Sequence, residues 1–276
     1  MNRTGDAPRI QVDLVGRPPR LPIDWRGGIA LSLAALFGLA ATTWPLLVTP
    51  GAALSDTDMG PWMFALLLPL LTAVTLALLS SGGLDARLVA MLGVLSAVIA
   101  AVRPFGAGSA GVETVFFLII LAGRVYGPAF GFVLGNTALF ASALLTGGVG
   151  PWMPYQMLAA SFIGLIAGLL PGRAPTTKWG RRAEVLMLAA FGCVASVIFG
   201  LLLNLSFWPF AITTGALAYE PGAGFAENMG RLLAFSLATS AGWEVGRAIT
   251  TAVLIILTGP LLLRVLRRSA RKARWV

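Results

Sequence analysis

Residues 183–207 read AEVLMLAAFGCVASVIFGLLLNLSF, an apolar run whose one charge, Glu184, sits at its start. An α-helix rises 1.5 Å per residue, so about 20 residues cross the roughly 30 Å hydrocarbon core of a bilayer. This run is long enough to span. Further runs of the same character lie on both sides of it, at 28–48, 62–80, 86–102, 112–124, 127–146, 152–170 and 242–263, the fourth in chain order (112–124) being the shortest. They are separated by turn-forming stretches: Pro50-Gly51, Ser81-Gly82-Gly83, Pro104 to Gly111, Gly127-Pro128, Gly147 to Pro151 and Pro171 to Lys178. Pro128 and Pro151 are placed to open helices, where a missing N–H costs nothing. The whole chain is 57% hydrophobic and only 11% charged, against about 25% charged in a soluble domain. The expected fold class is an all-α integral membrane protein of about eight transmembrane helices.

An even number of spans puts both termini on one side, and the basic residues test that arrangement. With the termini inside, every cation of the net +9 chain falls at a cytoplasmic end except Arg103, Arg231 and Arg247. Asp56, Asp58, Glu220 and Glu227 fall outside. Dropping the short 112–124 span would move the basic loop at 171–182 outside, so the charge pattern argues for keeping it. The surplus of positive charge is thus mostly membrane topology, with attraction to anionic membrane lipid second, and no nucleic-acid partner is expected. Residues 1–27 are polar and arginine-bearing and precede a run of full span length, which reads as a cytoplasmic tail rather than a cleaved signal. The localisation expected is the cell membrane, multi-pass, with both termini cytoplasmic.

Several chemistries are excluded by composition. The chain has no His and one Cys, Cys193, so zinc sites, Ser-His-Asp triads and disulfides are ruled out, and no metal or cofactor is expected. Lys178 and Lys272 are the only lysines and neither is followed by Ser or Thr, so there is no Walker A loop. The chain is not expected to be an enzyme. What remains are small residues and a set of polar ones. Gly93, Ala97 and Ala101 repeat every four residues along 86–102, with Ala90 just before, and Gly127-Gly131-Gly135 and Gly164-Gly168 form similar ridges. Such ridges let helix backbones approach closely, either within a bundle or against a partner helix.

The polar residues cluster in depth. Arg103 precedes a Gly-rich loop; Glu113 opens the fourth run; Trp152, Tyr155 and Gln156 open the sixth; Asn204 lies near the end of the seventh, before Trp208; Trp243, Glu244 and Arg247 open the eighth. Asn136 lies near a helix middle, and a long loop, roughly 208–241, carries Glu220, Glu227, Asn228 and Arg231. All but Asn136 fall at the outer level. Each also has a plainer reading. The tryptophans fit an interfacial belt, Glu244 and Arg247 lie three apart on one face and can neutralise each other, and Tyr155-Gln156 and Asn136 must be satisfied by protein or by ligand. We read Arg103, Glu113, Asn136, Trp152, Tyr155, Gln156, Asn204, Glu244 and Arg247 as candidate substrate-binding residues.

The stretch from Leu88 to Pro171 carries Arg103-Pro-Phe-Gly-Ala-Gly, Gly111-Val-Glu-Thr, Gly127-Pro-Ala-Phe-Gly-Phe-Val-Leu-Gly, Gly150-Pro-Trp-Met-Pro-Tyr-Gln and Gly164-Leu-Ile-Ala-Gly-Leu-Leu-Pro. With these motifs it resembles the substrate-specific (S) component of energy-coupling factor (ECF) transporters, and the likeness continues more loosely to the C-terminus. The resemblance implies a six-helix core that binds a vitamin or related micronutrient from outside. It also implies partners: a transmembrane coupling subunit, which the S component meets through small residues of its first core helix, and two ATPase subunits. Here those residues are Ala90, Gly93, Ala97 and Ala101. In such a mechanism the loaded protein topples in the membrane and the partners supply the energy. The division expected is a tail (1–27), an extra N-terminal helix pair (28–80), a six-helix binding core (86–267) and a basic tail (268–276). The mix of carboxylates, amides, guanidiniums and tryptophans makes cobalamin the first guess for the ligand, ahead of thiamine-like and flavin molecules. The alternatives are a stand-alone secondary transporter of a small organic solute, which would need an ion relay through both halves, and a membrane enzyme acting on a lipid-linked substrate.

Overall fold

The computed structural model describes residues 23, 25–47, 59–81, 86–106, 111–172 and 174–272. Among them are nine α-helices: α1 (Trp25–Leu47), α2 (Met59–Ser81), α3 (Ala86–Val102), α4 (Phe116–Tyr126), α5 (Pro128–Thr146), α6 (Met153–Leu169), α7 (Lys178–Phe207), α8 (Phe225–Thr239) and α9 (Ala241–Lys272). Five stretches, 25–47, 86–105, 128–146, 178–210 and 241–271, are long and apolar enough to cross a membrane. Shorter apolar helices cover 65–80, 116–126 and 153–169. The protein is a multi-pass, all-helical membrane protein. Most of the expected first tail, Asp56, Asp58, the Gly-rich residues 107–110, Arg173 and residues 273–276 lie outside the described residues.

Two expectations need correction. The stretch 208–241 is not a plain loop: it holds two short 3-10 turns and α8, whose Asn228, Leu232, Phe235 and Ser236 are buried. The fourth run begins its helix at Phe116 rather than at 112, leaving α4 with 11 residues and a length near 16 Å. A helix that short crosses only with help, and the non-helical residues 111–115 provide it. At one end Gly111 lies on the backbone of Trp243, at the start of α9; at the other the Tyr126 hydroxyl donates to the Leu266 carbonyl, near the end of α9. Gly111 is required there twice over, because its φ is +78° and a Cβ would strike the Trp243 backbone. Phe116 and Leu118–Tyr126 are all buried, as a short helix enclosed by longer ones must be. Elsewhere the helices extend beyond the expected runs. The Thr177 hydroxyl caps the Gly180 N–H and starts α7 at Lys178, and α9 passes through Pro260 and carries its polar end on to Lys272.

The bundle is assembled on a glycine contact. α5 and α6 run antiparallel with Gly131 against the Gly164 backbone, Gly135 against Ala160 and Gly168 against Gly127 and Pro128, while Gly123 of α4 also lies on Gly164. There is no room for a Cβ at any of these four positions. Two of the expected ridges are therefore internal packing. The ridge on α3 is not: α3 packs chiefly on α5, through Leu88, Leu92, Leu95 and Ile99, with the Ser96 hydroxyl 2.8 Å from that of Thr137. Its Ala90, Gly93, Ala97 and Ala101 are exposed, and the space a Cβ on Gly93 would enter is open. α1 and α2 pack on each other and against α5, α6 and α7.

At the end of the bundle away from Trp243, a buried ion network joins four helices. Arg124 Nε donates to Glu184 Oε1 at 2.9 Å, and its two terminal nitrogens donate to the carbonyls of Leu170 (2.6 Å) and Gly172 (3.0 Å). Arg267 grips both oxygens of the same carboxylate at 2.6 and 2.8 Å. The two ridges predict opposite responses to one substitution. Gly164→Val should lower stability by about 1–3 kcal/mol or prevent folding, as overpacking does, whereas Gly93→Val should leave the thermal unfolding temperature in detergent unchanged. Equal effects at both positions would contradict the packing described.

Candidate functional site

Seven segments meet at the end of the bundle where α9 begins: the turn after α3, residues 111–115, and α5, α6, α7, α8 and α9. From the turn after α3, Arg103 reaches across to α6, where one terminal nitrogen donates to Gln156 Oε1 at 2.8 Å; the other lies 3.4 Å from the Ser142 hydroxyl of α5. Thr114 ties the following segment back to α3 through the Val102 carbonyl at 2.8 Å. That leaves Glu113 facing α9, with Oε2 4.0 Å from Arg247 Nε and Oε1 accepting from the Val115 N–H. Arg247 is shared further: it donates to the Ser196 carbonyl of α7 at 3.4 Å and lies over the Phe199 ring, 5.1 Å from its centroid. Phe116 packs edge-on to the same ring at 4.7 Å.

Beside this lies a second polar group. Asn204 Nδ2 donates to the hydroxyls of Ser236 (3.1 Å) and Ser240 (2.5 Å) and lies 3.4 Å from Glu244 Oε1, which also accepts from Ser240 at 2.9 Å. The absence of a side chain at Gly200 makes room for the Glu244 carboxylate. Two guanidiniums and two carboxylates thus stand at one level with an amide from each of α6 and α7. The arrangement balances in charge and offers both donors and acceptors. It can hold a ligand with polar edges.

A family model for the substrate-specific component of ECF transporters matches residues 87–263, well over half of the chain. The chain belongs to that family. No curated protein and no solved structure matches it. An S component is a binding subunit of a transporter rather than an enzyme.

The remaining candidates are placed differently. Asn136 spends its amide on α2, donating to the Leu71 carbonyl at 3.0 Å and the Thr75 hydroxyl at 2.5 Å, and so joins the N-terminal pair to α5 away from the polar set. Tyr155 and Gln156 are neighbours on α6, about 100° apart around the helix, and meet different partners. Gln156 meets Arg103, while Tyr155 is buried beside Ala41 and Leu67 and lines an apolar cavity of about 270 Å³ between α1, α6 and α7. Phe199 lines that cavity and carries Arg247 over its ring, so cavity and polar set adjoin. Trp152 is half exposed with its ring on Gly150. Trp208 is no belt residue: it is fully buried, donates to the Leu217 carbonyl at 2.8 Å and packs edge-on to Tyr219.

Ser142, Ser196, Phe199, Ser236 and Ser240 also take part and were not singled out from the sequence. A serine in an apolar run is indistinguishable there from a small packing residue, and Ser236 could be placed only once α8 was known to be a helix. The sequence holds part of a signal for α8: Glu227 and Arg231 pair at i, i+4 (2.9 Å), which fits a helical turn without marking its buried side.

Proposed function

We propose that this S component captures a vitamin or related micronutrient from the outer side of the membrane and delivers it inward together with a coupling subunit and two ATPase subunits. The observation that carries the reading is the pairing of two features at separate places on the molecule: a convergent polar set at the α9 start, and an exposed small-residue face on α3. Arg103, Glu113, Gln156, Asn204, Glu244 and Arg247 would contact the ligand's polar edges. The apolar cavity beside Phe199, with Tyr155 in its wall, would take a ring. Trp152, exposed at the mouth of α6, is free to cover it. Asn136 is proposed instead as the joint that holds the extra pair, 28–80, to the core, 86–267.

Cobalamin, with its amide-rich rim, matches the polar set and would have to bind across it, beside residues 103–106, 111–115 and α8. A thiamine or flavin is the second reading, favoured by the cavity volume, which suits one ring system. The excess of basic residues at the opposite end supports a cytoplasmic position for both termini.

For docking, Ala90, Gly93, Ala97 and Ala101 present a face on which a partner helix can approach to backbone distance. Among the described residues, nothing stands close enough to this exposed face for bulky replacements to disturb. Ala97→Leu with Ala101→Leu should abolish co-purification with the coupling subunit while leaving the unfolding temperature and the retained small molecule unchanged; equal loss of both would refute the docking assignment. Arg247→Gln or Gln156→Ala should weaken retention of the small molecule, read by mass spectrometry, by about 10- to 100-fold, the effect of one charge-assisted hydrogen bond. Unchanged retention in both would move the site elsewhere.

A further inference from the structure

At the end of the bundle opposite the polar set, the start of α7 and the last turns of α9 enclose a crevice of about 580 Å³. The separation along α7 from Asn204 to Arg181 is about 35 Å at the helical rise. Lys178, Arg181, Arg182, Arg264 and Arg267 line the crevice, and its wall toward the bundle middle is apolar, with Leu186 and Ile256 about half exposed. The one carboxylate in it, Glu184, is already held by Arg124 and Arg267. Among the described residues, none of Lys178, Arg181, Arg182 and Arg264 makes an ion pair.

A solvated basic face is the usual outcome of the positive-inside rule, and it needs no ligand. This crevice differs in three respects. Its cations come from two helices and converge on one concavity. Three of them, Lys178, Arg181 and Arg182, occupy the first turns of α7, where the helix dipole already carries partial positive charge and where cations are disfavoured unless an anion is near. Finally, the cations adjoin exposed apolar surface along the membrane-crossing parts of the same helices, so that a molecule bound by its charge would lay its remainder against Leu186 and Ile256.

We infer that this crevice is a binding site for the phosphate headgroup of an anionic phospholipid, whose acyl chains lie along α7 and α9. Arg181 and Arg264 supply the guanidiniums that can hold phosphate oxygens in pairs, and Lys178 adds a point charge. Arg267 and Glu184 stay in the ion network and position the helix ends. The inference stands independently of which ligand the opposite end takes.

The test is native mass spectrometry of the protein taken from bilayers mixing phosphatidylglycerol with phosphatidylcholine. The unmodified protein should retain phosphatidylglycerol preferentially. Arg181→Gln with Arg264→Gln should weaken that retention at least tenfold, and Lys178→Gln alone, which disturbs no ion pair, by about fivefold, as expected for one cation near a lipid surface. Arg268→Gln with Arg271→Gln, on the same helix end but outside the crevice, should change little. No preference between the two lipids, or equal losses in the inside and outside pairs, would overturn the site in favour of diffuse charge. Displacement of the lipid by inorganic phosphate alone would overturn the lipid assignment in favour of a soluble anion.

Discussion

A polar group in hydrocarbon must find its partner inside the protein, because the surrounding lipid offers none. That constraint sorts this chain. Its buried and half-buried charges are gathered at two levels: Arg103, Glu113, Glu244 and Arg247 where α9 begins, and Arg124, Glu184 and Arg267 near where it ends. Between them the bundle is held by close backbone approach, with Gly123, Gly131 and Gly135 of α4 and α5 against Gly164 and Ala160 of α6. The helices can pack this tightly because little at mid-depth has to be solvated; at Asn136 the amide nitrogen is taken up by α2, while the side-chain oxygen is buried with no partner among the described residues.

The glycine contact has a consequence for α3. Since α4, α5 and α6 fill one another's grooves, α3 is left on the outside, held through one face by α5. The other face keeps the same small-residue pattern, with nothing against it among the described residues. An S component has no ATPase of its own, so it must couple to proteins that do, and a smooth face on a peripheral helix is a physical means of coupling without disturbing the site. The ion network at the far end ties α4, α7, α9 and the end of α6 into one unit, which favours motion of the core as a body over motion of its helices past one another.

Much of this was legible in the sequence, and the exceptions share a cause. Apolar runs and the breaks between them located the spans to within a few residues, and α3 began and ended at 86 and 102 as read. The level of the polar residues was also legible, because depth follows from position along a helix. Direction around the helix was not. Tyr155 and Gln156 differ by one residue and meet different partners; Asn136 turned to α2 rather than to a ligand. In a soluble protein the apolar stripe would reveal which side is inward, but in lipid both sides are apolar and that signal disappears. The small-residue ridges show the same limit: the pattern on α5 and α6 is packing, the pattern on α3 is exposed, and spacing alone does not distinguish them. α8 was missed for a different reason. It is too polar and too short to register as a span, and its buried side follows from contacts with Trp208 and Leu205 that no local pattern announces.

The central claim is that this chain binds and its partners drive. The most direct measurement is uptake of the small molecule that purifies with the protein into vesicles containing the chain alone, or the chain with the coupling subunit and both ATPases. The account predicts no accumulation by the chain alone under any ion gradient, and accumulation by the full complex that requires ATP hydrolysis. Accumulation by the chain alone, driven by a proton or sodium gradient, would contradict it.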